Sequence, residues 1–191
     1  MMRNIESGLI TLSYYMGPLL FGLNKYVRDN PSFAFSKSMT LYRNIECPEI
    51  DFYLYKLNLN HIICFPSITS TSSKPIEFTP SGLSAKINNT GKNLVKIKMI
   101  FKYTHENDNI SPGIIIEDKK GYDNDYISNY PNENEVILFP FTFTRIISID
   151  SKIIKGEEIK ILNLDIINRK TYLEYNLKNN PNQRLFISSL D

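Results

Sequence analysis

The stretch NENEVILFPFTFTRI, residues 132–146, decides the fold class of this chain. Its apolar runs predict one strand over residues 135–139 and another over residues 141–149. Glu133 and Glu135 stand two residues apart where a loop becomes the first of these strands. In an extended chain both carboxylates face the same side, whereas a loop still turning at Glu133 makes them straddle the edge of a cleft. A solvated acidic turn that caps a strand is the plainer interpretation of the same two residues.

Strand patterns continue on both sides of this stretch, beginning at residue 39. Residues 94–103 form the clearest one, because apolar residues alternate with lysines and Ile100 is the one exception. The other predicted strands are residues 39–45, 61–70, 113–117, 158–167 and 171–177.

Helical patterns come before the strands. Apolar residues at spacings of three and four predict a first helix around Leu9. A second helix is predicted to begin at Pro18, which suits a first helical turn, and to end at Asn30 before a proline. Helices followed by strands predict an α+β fold with mostly antiparallel sheets. No linker divides the chain, so we expect one domain with a helical part at residues 1–38 and a β-rich core at residues 39–191.

Size and charge limit the classes of partner. The chain has 191 residues, which is enough for one compact domain. Its 22 basic and 20 acidic residues leave a formal charge of +2, too weak to favour nucleic acid or an anionic membrane. The apolar stretch 8–23 is too short and too interrupted to span a bilayer, and it lacks a clear signal-peptide pattern. The sequence leaves open whether the protein is cytoplasmic or a secreted effector.

The two cysteines, Cys47 and Cys64, show no CxxC spacing and no neighbouring pair of histidines. This pattern argues against a zinc site, and we expect no metal ion in the protein. We expect two reduced, mostly buried thiols, although the sequence leaves a disulfide between them open.

Two further segments carry polar side chains in predicted β structure. Arg43 lies in the strand sequence LYRNI, where it is either a surface arginine on an edge strand or a fixed cation for a phosphate. Residues 67–73, SITSTSS, contain six hydroxyls in seven residues. Such a row either ends a strand in a turn or lines a pocket that binds a ribose and orients a carboxylate.

In their order along the chain, these segments resemble the ADP-ribosyltransferases of the arginine–serine–glutamate group. That group includes cholera-like and clostridial actin-modifying toxins and the vertebrate arginine-specific ecto-enzymes. It carries an arginine on its first core strand, Ser-Thr-Ser on its second and Glu-x-Glu at the start of its fifth. Here these elements are LYR at residues 41–43, STS at 70–72 and ENE at 133–135. Residues 132–146 also look like the group's carboxylate strand and its hairpin partner, whereas Asn44 stands where the group often has glycine.

The resemblance implies a split β-sandwich, in which two mainly antiparallel sheets surround an NAD cleft and N-terminal helices precede them. It implies a mono-ADP-ribosyltransferase, which transfers ADP-ribose from its substrate NAD to a protein side chain and releases nicotinamide. A glutamate at the first position of Glu-x-Glu favours an exposed arginine of a target protein as the acceptor. We expect Arg43 and Ser70 on one wall of the cleft and Glu135 on the opposite wall.

The same resemblance assigns roles to the main residues. Glu135 stabilises the oxocarbenium-like transition state, as a carboxylate does in glycoside hydrolysis. Glu133 holds and orients the arginine nucleophile through paired hydrogen bonds. Arg43 binds the NAD phosphates, and Ser70 holds Glu135 in place.

Other residues receive supporting roles from the resemblance. Thr71 and Ser72 support the strand end at the NAD site. Phe78 either stacks on nicotinamide or belongs to the core. The loop before Glu-x-Glu corresponds to the group's loop that meets the target protein, so Tyr126 and Tyr130 are candidate substrate contacts unless they pack inward.

Two other functions use the same motifs. In an NAD glycohydrolase, water replaces the protein acceptor and the same residues serve. A binding module of the same fold keeps the architecture without catalysis. Glu133 and the tyrosine-bearing loop favour transfer, and the presence of all three motifs favours activity. The sequence predicts no oligomeric state.

Overall fold

A computed structural model describes residues 2–77, 94–105, 111–116, 134–154 and 156–168. The strand predicted over residues 171–177 lies outside these ranges. Helix α1 spans Met2–Asp29, a 3-10 helix follows at Pro31–Phe33, and helix α2 spans Glu49–Leu57. The strands are β1 Met39–Pro48, β2 Ile62–Phe65, β3 Thr69–Ser72, β4 Leu94–Tyr103, β5 Gly113–Ile115, β6 Glu135–Leu138, β7 Thr142–Ile154 and β8 Glu157–Ile166.

The strands follow one another in the order β2-β7-β8-β4-β1-β3-β6-β5, and every pairing except β4 with β8 is antiparallel. β1 pairs with β4 along its whole length but with β3 only through Tyr42 and Ser72. The sheet therefore has a larger part, β2-β7-β8-β4-β1, and a smaller part, β3-β6-β5. The predicted α+β class and the split into mainly antiparallel parts are confirmed.

The main core lies on one face of the sheet and joins both parts. Its fully buried side chains include Leu41 of β1, Phe101 of β4, Leu164 of β8 and Val136 of β6. Phe52 of α2 is 2% exposed and belongs to the same core. Since burying one such side chain contributes about 1.5–3 kcal/mol, this shared core holds the two parts together where their strand pairing is sparse.

Helix α1 packs on the opposite face, over the smaller part of the sheet. Its Leu20, Leu23 and Val27 form a second core with Ile114 of β5. The prediction of two N-terminal helices was wrong, because one helix runs through Pro18. A proline removes one backbone hydrogen bond of a helix, but the apolar face that follows it continues the same helix onto its core.

The single strand predicted over residues 61–70 was also wrong, because two separate strands lie there. Pro66 stands between them and lacks the N–H that a sheet ladder requires. β2 pairs with β7, whereas β3 lies between β1 and β6. The break at Pro66 therefore takes the Ser-Thr-Ser segment to the split in the sheet.

β6 and β7 are not hairpin partners, which corrects the interpretation of residues 132–146. β6 pairs with β3 and β5, and β7 pairs with β2 and β8. Phe141 has a φ of 61°, and Thr142 Oγ1 donates to the carbonyl oxygen of Phe139 at 2.6 Å. Left-handed backbone is rare for a bulky residue, and here it redirects the chain from the smaller part of the sheet to the larger.

Helix α2 was not predicted, although local signals for it are present. Pro48 precedes it, Glu49 and Asp51 lie in its first turn, and Lys56 lies in its last. Acidic residues near the start and a basic residue near the end both favour a helix through its dipole. Neither α1 nor α2, the α-helices of the described ranges, combines the length and apolar character needed to cross a membrane.

Candidate active site

Ser70 joins the arginine and glutamate motifs through two hydrogen bonds. Its hydroxyl donates to Oε1 of Glu135 at 2.9 Å. Its backbone carbonyl oxygen accepts from Nη1 of Arg43 at 2.7 Å. Ser70 is the cross-strand partner of Ile137, two residues beyond Glu135, so serine and glutamate lie diagonally on one face of the sheet. The structure thus brings together one residue from each motif.

Arg43 occupies a position of β1 where the alternation places apolar side chains. Leu41 and Ile45 flank it on the same face and pack in the main core. β1 lies between β4 and β3, so a surface arginine on an edge strand does not describe this position. The strands β1 and β3 part beside Arg43, and its guanidinium meets the carbonyl oxygen of Ser70 across that gap.

Arg43 stays charged although burial disfavours its cation. Burial lowers the pKa of its guanidinium, and Tyr55 of α2 acts in the opposite direction. Because the ordinary pKa of arginine lies far above neutral, the group stays a cation at physiological pH. Burial also raises the pKa of Tyr55, which keeps its phenol neutral there. Tyr55 was missed by sequence reasoning because α2 was not predicted.

The chain enters Glu135 from a turned residue. Asn134 has a φ of 50°, in the left-handed region that asparagine tolerates better than most residues. Its carbonyl oxygen accepts from the backbone N–H of Ser73 at 3.0 Å, and that of Glu135 accepts from the N–H of Ile116 at 3.2 Å. The backbone therefore still turns at the residue before Glu135, and the placement of Glu133 relative to it stays a prediction, since Glu133 lies outside the described residues.

Thr71 and Ser72 use their hydroxyls on backbone groups. Thr71 is 4% exposed, and its Oγ1 donates to the carbonyl oxygen of Val136 at 2.6 Å. Ser72 Oγ accepts from the N–H of Lys74 at 3.1 Å and donates to the carbonyl oxygen of Lys74 at 2.9 Å. Both side chains stabilise the end of β3 beside Ser70.

Glu135 lies beside Ser70, so the expected placement on opposite walls was wrong. The reason is that β3 pairs directly with β6. Two other elements pack on the face of the sheet that carries Ser70 and Glu135. α1 packs next to Ile137, and residues 74–77, which we call the wall segment, are hydrogen-bonded by Asn44 of β1 and Lys98 of β4.

Several assigned residues lie outside the described ranges, and their roles stay predictions. They are Phe78, Tyr126, Tyr130 and Glu133.

Both cysteines are free thiols, so the disulfide that the sequence left open is not formed. Cys64 is exposed on β2, which corrects the expectation that both would be mostly buried. Burial, with a contribution from Asp51, raises the pKa of the Cys47 thiol and keeps it protonated at neutral pH. Within the described ranges, no group of three His, Cys, Asp or Glu side chains is arranged to hold a metal ion.

The fold is shared with solved structures of other proteins. C3larvin toxin, an ADP-ribosyltransferase from Paenibacillus larvae, is 12% identical over 87% of this chain and 84% of its own, with a TM-score of 0.50. The catalytic domain of VahC from Aeromonas hydrophila is 12% identical over 81% of this chain and 70% of its own, with a TM-score of 0.50. No protein-family model matches the sequence, and the search of curated proteins found no relative. This chain has the fold of an ADP-ribosyltransferase toxin.

Proposed function

We propose that this chain is a mono-ADP-ribosyltransferase, which transfers ADP-ribose from NAD to an arginine of a target protein and releases nicotinamide. The hydrogen-bonded set of Arg43, Ser70 and Glu135 carries the proposal, because it joins the three sequence motifs at one point of the sheet. The fold shared with C3larvin toxin supports it, since that protein is an ADP-ribosyltransferase. The reaction needs no Lewis acid, so the proposal includes no metal ion.

Glu135 is proposed to act at the reacting carbon. The bond between ribose C1′ and the nicotinamide nitrogen breaks, its electron pair leaves with neutral nicotinamide, and positive charge develops on the ribose. A carboxylate beside that charge stabilises the transition state more than the ground state. The hydroxyl of Ser70 holds one carboxylate oxygen at 2.9 Å, which orients Glu135 before the substrate binds.

Arg43 is proposed to bind the phosphates of NAD. A guanidinium has five N–H donors in one plane, and Nη1 of Arg43 donates to the carbonyl oxygen of Ser70. That bond ties one nitrogen of the guanidinium to β3. The other N–H donors of the guanidinium remain available to an anion. Several donors in one plane match the several oxygens of a phosphate.

The acceptor arginine is proposed to meet Glu133, with Tyr126 and Tyr130 on the loop before it. A guanidinium nitrogen of the target forms the new bond to C1′ as the bond to nicotinamide breaks. One proton leaves that guanidinium for Glu133 or for water. The resemblance to the arginine–serine–glutamate group supports these three assignments.

Transfer of label from NAD to poly-arginine tests the proposal. We expect labelled poly-arginine with the wild-type chain and a rate at least about a hundredfold lower for Glu135→Ala, because the charge on the ribose loses its counterpart. Glu133→Gln is expected to keep NAD cleavage but to transfer less label. Glu157→Gln, at an exposed carboxylate of β8, is the matched control.

The outcomes separate the competing functions. Cleavage of NAD without labelled protein would identify an NAD glycohydrolase. A chain that neither binds nor cleaves NAD would be a binding module, and the proposal would be withdrawn.

A further inference from the structure

The wall segment is tied to the larger part of the sheet by a cross-strand pair. Asn44 of β1 and Lys98 of β4 are register partners, so their side chains project from the same face. Asn44 Nδ2 donates to the carbonyl oxygen of Glu77 at 3.0 Å and, at a longer 3.5 Å, to that of Ile76. Lys98 Nζ donates to the carbonyl oxygen of Ile76 at 3.2 Å. Donors from two strands thus converge on two successive carbonyls of an exposed segment.

Both donors are held in this arrangement. Lys98 Nζ lies 5.7 Å from the centroid of the Tyr42 ring, within the range of a cation–π contact. A surface lysine usually extends its ammonium into water, so a lysine held between a ring and a carbonyl is constrained. Oδ1 of Asn44 is buried without a hydrogen-bond partner in the described part of the chain. An unpaired buried oxygen costs free energy. In this orientation of the amide, its NH₂ group donates to the wall segment.

The wall segment stands on the same face as the candidate catalytic carboxylate. The register from β1 through β3 to β6 places the side chains of Asn44, Ser70 and Glu135 on one side of the sheet. On that side α1 packs over Ile137, and the wall segment lies over β1. Ser70, on β3, lies between these two covers, and Glu135 lies two residues from Ile137 on β6. The cover on the β1 side is held by the contacts of Asn44 and Lys98.

We propose that Asn44 and Lys98 are positioning residues that hold residues 74–77 as one wall of the NAD site. The proposal rests on the function proposed above. Because both residues act through the backbone of the wall segment, they govern the shape of the site before the substrate reacts. Loss of either is expected to raise the KM for NAD about fivefold, the effect of one ordinary hydrogen bond, while kcat changes less than about twofold.

Four variants of the full chain test this wall. Asn44→Ala and Lys98→Met remove the donors, and Lys98→Arg keeps a cationic donor at the same position. Asn163→Ala is the matched control, because Asn163 Nδ2 also donates across strands, to Ser148 Oγ at 2.8 Å and Asp150 Oδ2 at 3.1 Å. Each variant is measured for kcat and KM of NAD cleavage.

A second measurement does not depend on activity. A glutamate-specific protease is added to the native protein, and the rate of cleavage after Glu77 is followed by mass spectrometry. Cleavage requires the wall segment to leave its donors, so its rate follows the population of the released form. We expect several-fold faster cleavage in Asn44→Ala and Lys98→Met, and wild-type rates in Lys98→Arg and Asn163→Ala.

Kinetics and proteolysis together distinguish failure of the wall, failure of its role in NAD binding and failure of the proposed function. Unchanged cleavage after Glu77 in both Asn44→Ala and Lys98→Met would overturn the wall itself, whatever the activity. Faster cleavage with an unchanged KM would overturn its role in NAD binding. A wild-type chain without NAD cleavage or binding would overturn the proposed function, and with it the role in NAD binding, while the protease result would still decide whether the wall exists.

Discussion

Ser70 serves the site with its backbone and its side chain, and these two contributions can be separated. Ser70→Ala keeps the carbonyl oxygen that Arg43 binds and removes only the hydroxyl that donates to Glu135. We expect kcat for NAD cleavage to fall about tenfold, because the carboxylate loses the donor that orients it. Ser70 is exposed, so the melting temperature is expected to stay unchanged.

Ser148→Ala is the control for that measurement. Ser148 Oγ donates to Asp150 Oδ2 at 3.0 Å on β7, which reproduces a serine–carboxylate contact outside the site. Steady-state NAD cleavage and thermal melting of both variants test the role of the Ser70 hydroxyl. Equal losses of kcat in the two variants would contradict the role assigned to Ser70.

Two buried threonines are expected to respond in opposite directions to the same substitution. Thr71 Oγ1 donates to the carbonyl oxygen of Val136 at 2.6 Å, whereas Thr144 Oγ1 is buried without a partner among the described residues. Thr71→Val is expected to lower the free energy of unfolding by about 1 kcal/mol, because it removes one buried hydrogen bond. Thr144→Val is expected to raise it by about 1 kcal/mol, because it removes a buried unpaired hydroxyl. Urea denaturation measures both, and a destabilising Thr144→Val would show that its hydroxyl has a partner.

At the scale of elements, the sequence predicted those helices and strands whose formation depends on a clear local residue pattern. The strand predicted over residues 94–103 is observed as Leu94–Tyr103, because it is long and alternates. α2 has nine residues, too few for a strong periodic signal, and is held in part by the burial of Phe52. The predicted boundary at Pro18 was wrong, because α1 runs through the proline from Met2 to Asp29.

The candidate site shows the same limit. Arg43, Ser70 and Glu135 were found by residue type and order along the chain. Their mutual contact depends on the pairing of β3 with β6 and on the parting of β1 from β3, which no local pattern contains. Asn44 was visible only as a departure from the group's glycine, and its bond to the wall segment follows from register.

Two glycines test how tightly their elements are packed. A Cβ added to Gly22 in α1 meets nothing within 4 Å, whereas one added to Gly113 in β5 would lie 2.3 Å from the carbonyl oxygen of Ile137. Gly22→Ala is expected to raise the free energy of unfolding by about 0.5–1 kcal/mol, because alanine favours a helix. Gly113→Ala is expected to lower it by about 3 kcal/mol, because β5 and β6 must move apart. Equal effects of the two variants in chemical denaturation would contradict this packing of β5 on β6.

At the scale of the whole molecule, the larger and smaller parts of the sheet meet at Tyr42 and Ser72 and share one core. NAD bound to Arg43 and Glu135 would touch both parts and would bind only the folded chain. We expect NAD at about a hundred times its Kd to raise the free energy of unfolding by about 2.7 kcal/mol.

Thermal melting at increasing NAD concentration measures this stabilisation. Glu157→Gln is expected to keep the rise in melting temperature, and Arg43→Met is expected to lose most of it. A melting temperature independent of NAD in the wild-type chain would contradict a nucleotide site between the two parts.

The parallel pairing of β4 with β8 also bears on how the chain folds during synthesis. Lys96 becomes the neighbour of Ile159 in the middle of the sheet, although β5, β6 and β7 all lie between them in the sequence. Closing such a long loop costs conformational entropy before its contacts form, and folds rich in distant contacts form slowly. On the ribosome, β4 emerges with one edge open until β8 follows, and an open strand edge invites pairing with other chains. We therefore expect folding to finish only after the ribosome releases β8, with β4 the strand most exposed to aggregation until then.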